Sequence, residues 1–135
     1  MDKRFEEIAH TADLAMRAYG RDMKELFANA AYGMFSLMAD LSAIAPVVHR
    51  RVHLEAPDQE ALLVDWLNEL LYLHEAEGEV YSSFDIQALS PTELSATVEG
   101  DKTEAVTKVI KAATFHDLEI TRTEDGYAVT ITFDI

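Results

Sequence analysis

The sequence predicts a single α+β domain over residues 1–135, a mainly antiparallel β-sheet with two principal helices packed on one face. Three observations predict this class. Apolar and polar residues alternate near both ends of the chain, as in half-buried strands. Two apolar stripes recur at helical spacing. Asp125-Gly126 signals a hairpin before the last segment. Helices and hairpin-joined strands in this order are typical of an α+β fold.

The first alternating segment predicts a strand that ends at Gly20, with Asp13 on its more polar face. Asp22 and Glu25 then form a variant of the capping box, which predicts the start of a helix. Its apolar stripe contains three methionines, which we interpret as core packing rather than as a binding groove. The stripe consists of Met23, Leu26, Phe27, Ala30, Met34, Phe35 and Met38.

After Pro46, a second strand is predicted around Val48–Leu54. The clearest element of the chain follows it, a helix that opens at Pro57-Asp58 and stops at Gly78. Burial of each leucine stabilises the fold by about 1.5–3 kcal/mol, so we expect this helix to anchor the core. Its wide apolar stripe consists of Leu62, Leu63, Trp66, Leu67, Leu70, Leu71 and Leu73.

Beyond the second helix the pattern returns to strands. Two of them, Phe84–Ala88 and Leu94–Val98, flank a turn at Ser90-Pro91-Thr92. We expect a short helix over Thr103–Lys108 and a strand over Lys111–Thr123. The last strand runs from Tyr127 to the end of the chain. Its two faces are Tyr127, Val129, Ile131 and Phe133 on one side, and Ala128, Thr130, Thr132 and Asp134 on the other.

Length and composition limit the class of protein. The 135 residues are 49% hydrophobic and 27% charged, as expected for one globular domain with its own core. No apolar run approaches the roughly 20 residues of a membrane span, and the first residues do not resemble a signal peptide. The sequence has no cysteine, which excludes disulfides and thiolate metal sites. We expect a cytoplasmic protein without a membrane partner.

The chain is strongly acidic, with 25 Asp and Glu against 11 Lys and Arg and a net charge of −14. Nucleic-acid binding draws on clustered basic residues that neutralise phosphates, whereas here the basic residues are scattered. The acidity is consistent with an ordinary solvated surface. It is also consistent with a surface that docks on a basic partner, such as an enzyme that acts on nucleic acid.

Carboxylates near the two ends of the chain form the candidate site. Asp13 and Asp134 fall on polar strand faces, and a strand that runs to Ile135 would fix the terminal carboxylate in space. If the first and last strands pair, three hard oxygen donors converge, which is the ligand type of a divalent metal site. Each aspartate alone is typical of a solvated or capping residue. Two carboxylates about 4 Å apart repel by about 4 kcal/mol at an effective dielectric of about 20, which a cation, a proton or water would offset.

Two histidines, His10 and His116, are possible supporting residues. A lone histidine on a strand more commonly serves as a structural hydrogen-bonding group. Neighbouring residues of a strand point to opposite faces, which argues against a catalytic pair of His116 and Asp117. The sequence has no Gly-rich phosphate loop, no Gly-x-Ser-x-Gly elbow and no His-Glu-x-x-His motif. The residues alone therefore predict a small acidic α+β domain with a candidate oxygen-ligand metal site and no assigned catalytic residue.

At these same residues the chain resembles the archease family, over nearly its whole length and in the right order. Each segment alone is weak, and their combination is specific. The matching segments are His10–Asp13, Ala18–Gly20, Glu25–Phe27, Ala30-Ala31, Met34-Phe35, Leu37-Met38, Leu62–Leu73, Lys111-Ala112, Thr114–His116 and Phe133–Ile135. Two features depart from the family pattern. Phe115 stands where the family often has Tyr, and the stretch from Gly100 to Lys111 is shorter and lacks a histidine.

The resemblance implies a protein cofactor rather than an enzyme. Archeases assist the RtcB-type RNA ligase, which joins RNA ends in tRNA splicing and RNA repair. They promote guanylylation of the ligase from GTP and so allow multiple turnover. The resemblance places the family's metal ligands at Asp13, Asp134 and Ile135, with calcium as the expected ion, and implies contact with RNA only through the ligase. It gives no oligomeric state.

Two other functions stay open at this stage. A general chaperone or adaptor for RNA-processing enzymes would use the apolar, methionine-rich helix surfaces. A free-standing metal hydrolase would turn over a substrate without a ligase, although no substrate pocket is evident in the sequence.

Overall fold

The computed structural model describes residues 3–8 and 14–135 and confirms the α+β class. Two helices and eight strands are present in the described part of the chain, with one short 3-10 turn at Leu41–Ala43. Every described strand pair is antiparallel. The elements are β1 (Phe5–Ile8), β2 (Leu14–Gly20), α1 (Met23–Met38), β3 (Val48–Glu55), α2 (Gln59–Glu77), β4 (Glu79–Leu89), β5 (Glu93–Lys102), β6 (Ala112-Ala113), β7 (Ile120–Thr123) and β8 (Gly126–Asp134).

The strands form two sheets rather than one continuous sheet. In the first sheet the order is β1-β2-β8-β6, and β7 also pairs with β8. In the second sheet β5 lies between β3 and β4. Strand β8 is therefore internal, with β2 along one edge and both β6 and β7 along the other. The last strand of the chain is thus fixed from both sides.

Helix α1 begins as the capping pattern predicts. The Asp22 carboxylate accepts a hydrogen bond from Glu25 N at 2.8 Å, and Glu25 Oε1 accepts one from Arg21 N at 2.8 Å. Met34 and Met38 are fully buried, which confirms that the methionine stripe packs in the core. The helix contacts β1, β2 and β8 of the first sheet and β4 of the second.

Helix α2 also has the predicted ends. The Asp58 carboxylate accepts a hydrogen bond from Ala61 N at 2.8 Å, and Gly78 closes the helix in the left-handed conformation, with φ 69°. Trp66 is buried, and its Nε1 donates to the carbonyl of Phe27 at 3.0 Å, which joins α2 to α1. Because α2 contacts β6 as well as β3, β4 and β5, both helices bridge the two sheets.

Two predicted elements are wrong, and threonine side chains supply the reason. Residues 103–108 do not form a helix, because Thr103 Oγ1 accepts a hydrogen bond from Ala105 N and Thr107 N donates to the carbonyl of Met38. Residues 111–123 do not form one strand. Only β6 and β7 are extended, and Thr114 Oγ1 accepts from His116 N between them. Such local bonds offer the backbone an alternative to regular structure.

The predicted hairpin is confirmed, with Glu124-Asp125 as its two-residue loop and Gly126 as the first residue of β8. Gly126 has φ 153°, and a Cβ there would lie 2.1 Å from the carbonyl oxygen of Gly20. Only glycine allows this approach between β8 and the end of β2. In the described residues, neither helix is long and apolar enough to cross a membrane.

Candidate functional site

The candidate site lies where β8 ends. Leu14 is the Cα partner of Phe133, and Ala112 is the partner of Asp134. Lys111 N also donates to the carbonyl of Asp134 at 2.8 Å. Hydrogen bonds to neighbouring chain segments therefore hold the backbone of Asp134 at a defined position.

The end of β8 faces solvent because the packed part of the strand stops at Phe133. Val129, Ile131 and Phe133 are fully buried on the face of β8 that packs on the core. The other face is also buried at Thr132, whereas Asp134, the last residue of β8, is exposed and Ile135 beyond it is 53% exposed. The core therefore fixes the strand up to Phe133, and the two residues after it project from the packed structure.

Two of the predicted site residues, Asp13 and His10, lie outside the described residues. The structure does confirm the condition on which the site prediction depended, because β2 and β8 pair along their whole length. Their outermost partners, Leu14 and Phe133, are the sequence neighbours of Asp13 and Asp134. The metal site itself stays a prediction.

The donor chemistry suits a hard cation, since carboxylate oxygens are the ligands that calcium prefers in proteins. Within residues 3–8 and 14–135, no three His, Asp or Glu side chains converge on one point. The predicted site would draw on Asp13 and on the Ile135 carboxylate in addition to the exposed side chain of Asp134.

His116 lies in a turn and not in a strand. Its Nε2 is 3.2 Å from Asp117 Oδ2, and both side chains are exposed. The prediction that His116 and Asp117 point to opposite faces is therefore wrong, because Asp117 adopts φ 52° and the chain reverses there. Among the described ion pairs His116 pairs with Asp117 and not with Asp134.

Asn68 is the residue that sequence reasoning missed. Its Oδ1 accepts a hydrogen bond from Ala113 N at 2.8 Å, and its Nδ2 donates to the carbonyl of Ala113 at 3.1 Å. Ala113 is in turn the partner of Phe133. Asn68 of α2 thus holds β6 in place, and β6 pairs with the end of β8 at the candidate site. A polar residue at the border of the α2 stripe was the only signal in the sequence.

The second sheet contains an ion pair in which the carboxylate is buried and the guanidinium is partly exposed. The Glu79 carboxylate accepts hydrogen bonds from Arg50 Nε at 2.9 Å, from Arg50 Nη2 at 2.7 Å and from the Tyr81 hydroxyl at 2.7 Å. The Arg50 guanidinium holds the pKa of Glu79 below its usual range. Burial, together with the hydrogen bond to Glu79, raises the pKa of Tyr81. These shifts follow from a structural network on strands other than β2 and β8.

Among the open clefts of the described structure, two have volumes of about 410 and 430 Å³. The first lies beside Gly20 and Tyr127, which are paired at the opposite end of β2 and β8 from Asp134. Six residues of strand separate the two ends, which corresponds to roughly 20 Å. The second lies beside Gly78 and Lys102. Asp134 and Ile135 therefore lie at an exposed tip of the sheet and line neither cleft.

Comparison with known proteins gives a consistent result. The sequence matches the Archease protein family over residues 5–135. It is 39% identical to protein archease of Methanosarcina barkeri, over 98% of this chain and 97% of that one. It is also 39% identical to protein archease of Saccharolobus solfataricus, over 98% of this chain and 99% of that one.

Solved structures show the same fold. The solution structure of Methanobacterium thermoautotrophicum protein 1598 superposes with a TM-score of 0.84 at 33% identity, covering 98% of this chain and 99% of that one. The crystal structure of a Thermotoga maritima archease, described as a possible chaperone, superposes with a TM-score of 0.65 at 23% identity, covering 96% of both chains.

Proposed function

This chain belongs to the archease family, and we propose that it is a metal-binding accessory protein that activates an RtcB-type RNA ligase. It would promote guanylylation of the ligase from GTP and so allow multiple turnover in tRNA splicing and RNA repair. The observation that carries the proposal is the pairing of Leu14 with Phe133, one residue away from both Asp13 and Asp134. We further propose that the protein acts in the cytoplasm beside its ligase.

The proposed metal ligands are the carboxylates of Asp13, Asp134 and Ile135, and the proposed ion is calcium. The exposure of Asp134 and Ile135 supports an arrangement that a partner enzyme can approach. When bound, the ion would supply positive charge beside the catalytic centre of the ligase. The residues of this chain would hold it there, because the backbone of Asp134 is fixed by β6 and by Lys111 N.

The charge of the protein supports a protein partner over direct binding to RNA. A net charge of −14 repels phosphates and is complementary to a basic surface. An enzyme that handles RNA presents such a basic surface. In this proposal RNA is reached only through the ligase.

The test is RNA ligation by a cognate RtcB-type ligase at limiting enzyme, with guanylylation measured in parallel. We expect wild-type protein to stimulate both, and Asp13→Ala and Asp134→Asn to remove the stimulation. Asp125→Asn is the matched control, because Asp125 is an exposed aspartate in the hairpin at the other end of β8. Full stimulation by Asp134→Asn would rule out the carboxylate mechanism.

A C-terminal extension tests Ile135 separately. Extending the chain converts the terminal carboxylate into an amide and adds bulk beside Asp134. We expect the extended protein to lose stimulation while the same extension at the N-terminus is tolerated. Equal activity of the two extended proteins would remove Ile135 from the ligand set.

The alternative function is a general chaperone or adaptor for RNA-processing enzymes. The description of the Thermotoga maritima archease as a possible chaperone favours it. Two of the α1 methionines that we expected it to use, Met34 and Met38, are buried and cannot contact a client. A chaperone should reduce the aggregation of unrelated clients and should be indifferent to Asp134→Asn. Retained anti-aggregation activity in that variant, without ligase stimulation by wild type, would favour this alternative.

A further inference from the structure

We propose that the turn at residues 115–118 is a docking element, in which Phe115 inserts into an apolar pocket rimmed by basic side chains on the ligase. The identity of the partner rests on the proposed function. The docking element itself rests on the exposure, the rigidity and the charge of this turn.

Phe115 is a large aromatic residue that the fold leaves in solvent. Its side chain is 58% exposed, whereas Leu118 and Ile120, which follow it, pack against the core. Both of these later apolar residues are partly buried, so the segment lies close enough to the core to cover an apolar side chain, yet Phe115 is left exposed. Aromatic side chains that enter a partner's pocket dominate the binding energy of many protein interfaces.

The turn is held in place on both sides. Before it, Asn68 binds both backbone groups of Ala113, and Thr114 N donates to the carbonyl of Thr132 at 3.0 Å. After it, Ile120 N donates to Glu60 Oε2 at 3.3 Å. Two side chains of one helix, α2, therefore brace the segment at its two ends.

The turn is also closed internally, because Leu118 N donates to the carbonyl of Phe115 at 3.1 Å. Asp117 adopts φ 52° within it, the left-handed conformation that Asp tolerates better than most non-glycine residues. A segment ordered before binding loses little conformational entropy on docking, which leaves more of the contact energy for affinity. Phe115 is thus presented on a rigid support.

Charge selects the class of partner. Residues 114–119 carry two exposed carboxylates, Asp117 and Glu119, and contain no Lys or Arg. The only other titratable side chain of the segment, His116, lies against Asp117. RNA phosphates and anionic lipid headgroups would be repelled by these carboxylates. A protein surface with an apolar pocket and a basic rim is complementary to them.

The turn lies close enough to the end of β8, with the carboxylates of Asp134 and Ile135, for one partner to contact both. Thr114 bonds to Thr132, which lies two residues before Asp134 on β8, or roughly 7 Å along the strand. The two features would then have separate tasks. Phe115 would contribute affinity, and the carboxylates at the tip would contribute activation.

The experiment measures direct binding of the purified ligase to immobilised protein, and separately the concentration of protein that gives half-maximal ligase stimulation. We expect Phe115→Ala to weaken binding by about tenfold or more, the effect of losing an interface anchor, and to leave stimulation at saturation unchanged. Phe115→Tyr keeps the ring and should bind like wild type. Asp134→Asn should show the reverse pattern, with binding kept and stimulation lost.

Val47→Ala is the matched control, because Val47 is 64% exposed and lies beside β3 in the second sheet. It should leave binding unchanged. Unaltered melting temperatures of both alanine variants would show that neither perturbs the fold.

The outcomes separate the two proposals. Wild-type-like binding by Phe115→Ala, or an equal loss in Val47→Ala, would overturn the docking element and leave the proposed function standing. If the wild type binds without stimulating, the proposed function fails, and weaker binding by Phe115→Ala still supports the docking element. If the wild type does not bind the ligase, both proposals fail.

Discussion

The buried carboxylate of Glu79 offers the sharpest stability prediction. Glu79 is 1% exposed at the start of β4 and is bound by Arg50, which lies on β3 at the opposite edge of the second sheet. The Tyr81 hydroxyl donates to the same carboxylate. The network therefore ties together the two edge strands that flank β5, and its loss should destabilise the whole sheet.

The perturbation is Glu79→Gln, which keeps the size and removes the charge. Removing one partner of a fully buried ion pair costs about 3–5 kcal/mol. The Arg50 side chain is 36% exposed, so water can solvate part of its charge in the variant. The amide also keeps one acceptor for Arg50 or Tyr81. We therefore expect the free energy of unfolding to fall by about 2–3 kcal/mol at neutral pH.

The matched control is Glu77→Gln. Glu77 contacts the same guanidinium at 3.4 Å and is 43% exposed, so its contribution should be below about 0.5 kcal/mol. Urea unfolding followed by the fluorescence of Trp66, the single tryptophan and a fully buried one, measures both variants. Comparable losses in Glu79→Gln and Glu77→Gln would refute the argument from burial.

The pH dependence provides a second test of the same network. Because Arg50 donates to the carboxylate, the pKa of Glu79 is lower in the folded state than in the unfolded chain. The stabilisation is therefore complete above the unfolded pKa, about 4.5, and is lost as the pH falls through the folded pKa. The difference between wild type and Glu79→Gln should be constant above about pH 6 and shrink in acid. A difference that does not shrink would refute the assignment.

Three further predictions follow from single residues. Gly78→Ala should cost about 1 kcal/mol in urea unfolding, because φ is 69° there while a Cβ meets nothing within 4 Å, and a neutral result would contradict the conformational explanation. Asn68→Ala should cost about 1–3 kcal/mol and speed hydrogen exchange at the Ala113 amide, since both backbone groups of Ala113 lose their partner; unchanged exchange would show that the bond is dispensable. Calorimetric titration should detect calcium binding to the wild type and much weaker binding to Asp134→Asn, and equal affinities would exclude Asp134 as a ligand.

The helices were predictable because their signals are local. Asp22 and Asp58 act as caps in the structure as the sequence indicated, and Gly78 ends α2. The segment between β6 and β7 was not predictable. Thr114 fits an extended pattern, and the strand ends there because its hydroxyl accepts a hydrogen bond from His116 N, which the alternation of residue types does not reveal. The division of the strands into two sheets is likewise a consequence of tertiary packing.

The candidate site divides in the same way. The residue pattern correctly predicted a final strand that reaches Asp134, whereas the exposure of Asp134 follows from its position at the end of β8, because Thr132 on the same face is buried. The pairing of β2 with β8 could not be predicted from the sequence, because pairing between distant segments leaves no signal in the local residue pattern. The site prediction therefore depended on that pairing. The hydrogen bonds from Asn68 to the backbone of Ala113 could not be predicted for the same reason, because Ala113 lies 45 residues further along the chain.

The position of β8 has a consequence for the order of folding. Strands β3, β4 and β5 and helix α2 lie consecutively between residues 48 and 102, so the second sheet can assemble from neighbouring segments soon after they leave the ribosome. The first sheet has no such shortcut. Its strand β2 pairs with β8, which follows it by more than 100 residues in the chain, and closing so long a loop is slow. Before β8 is synthesised, the edge of β2 that pairs with β8 is therefore exposed. A chain truncated before β8 lacks the strand that joins β2 to β6 and β7.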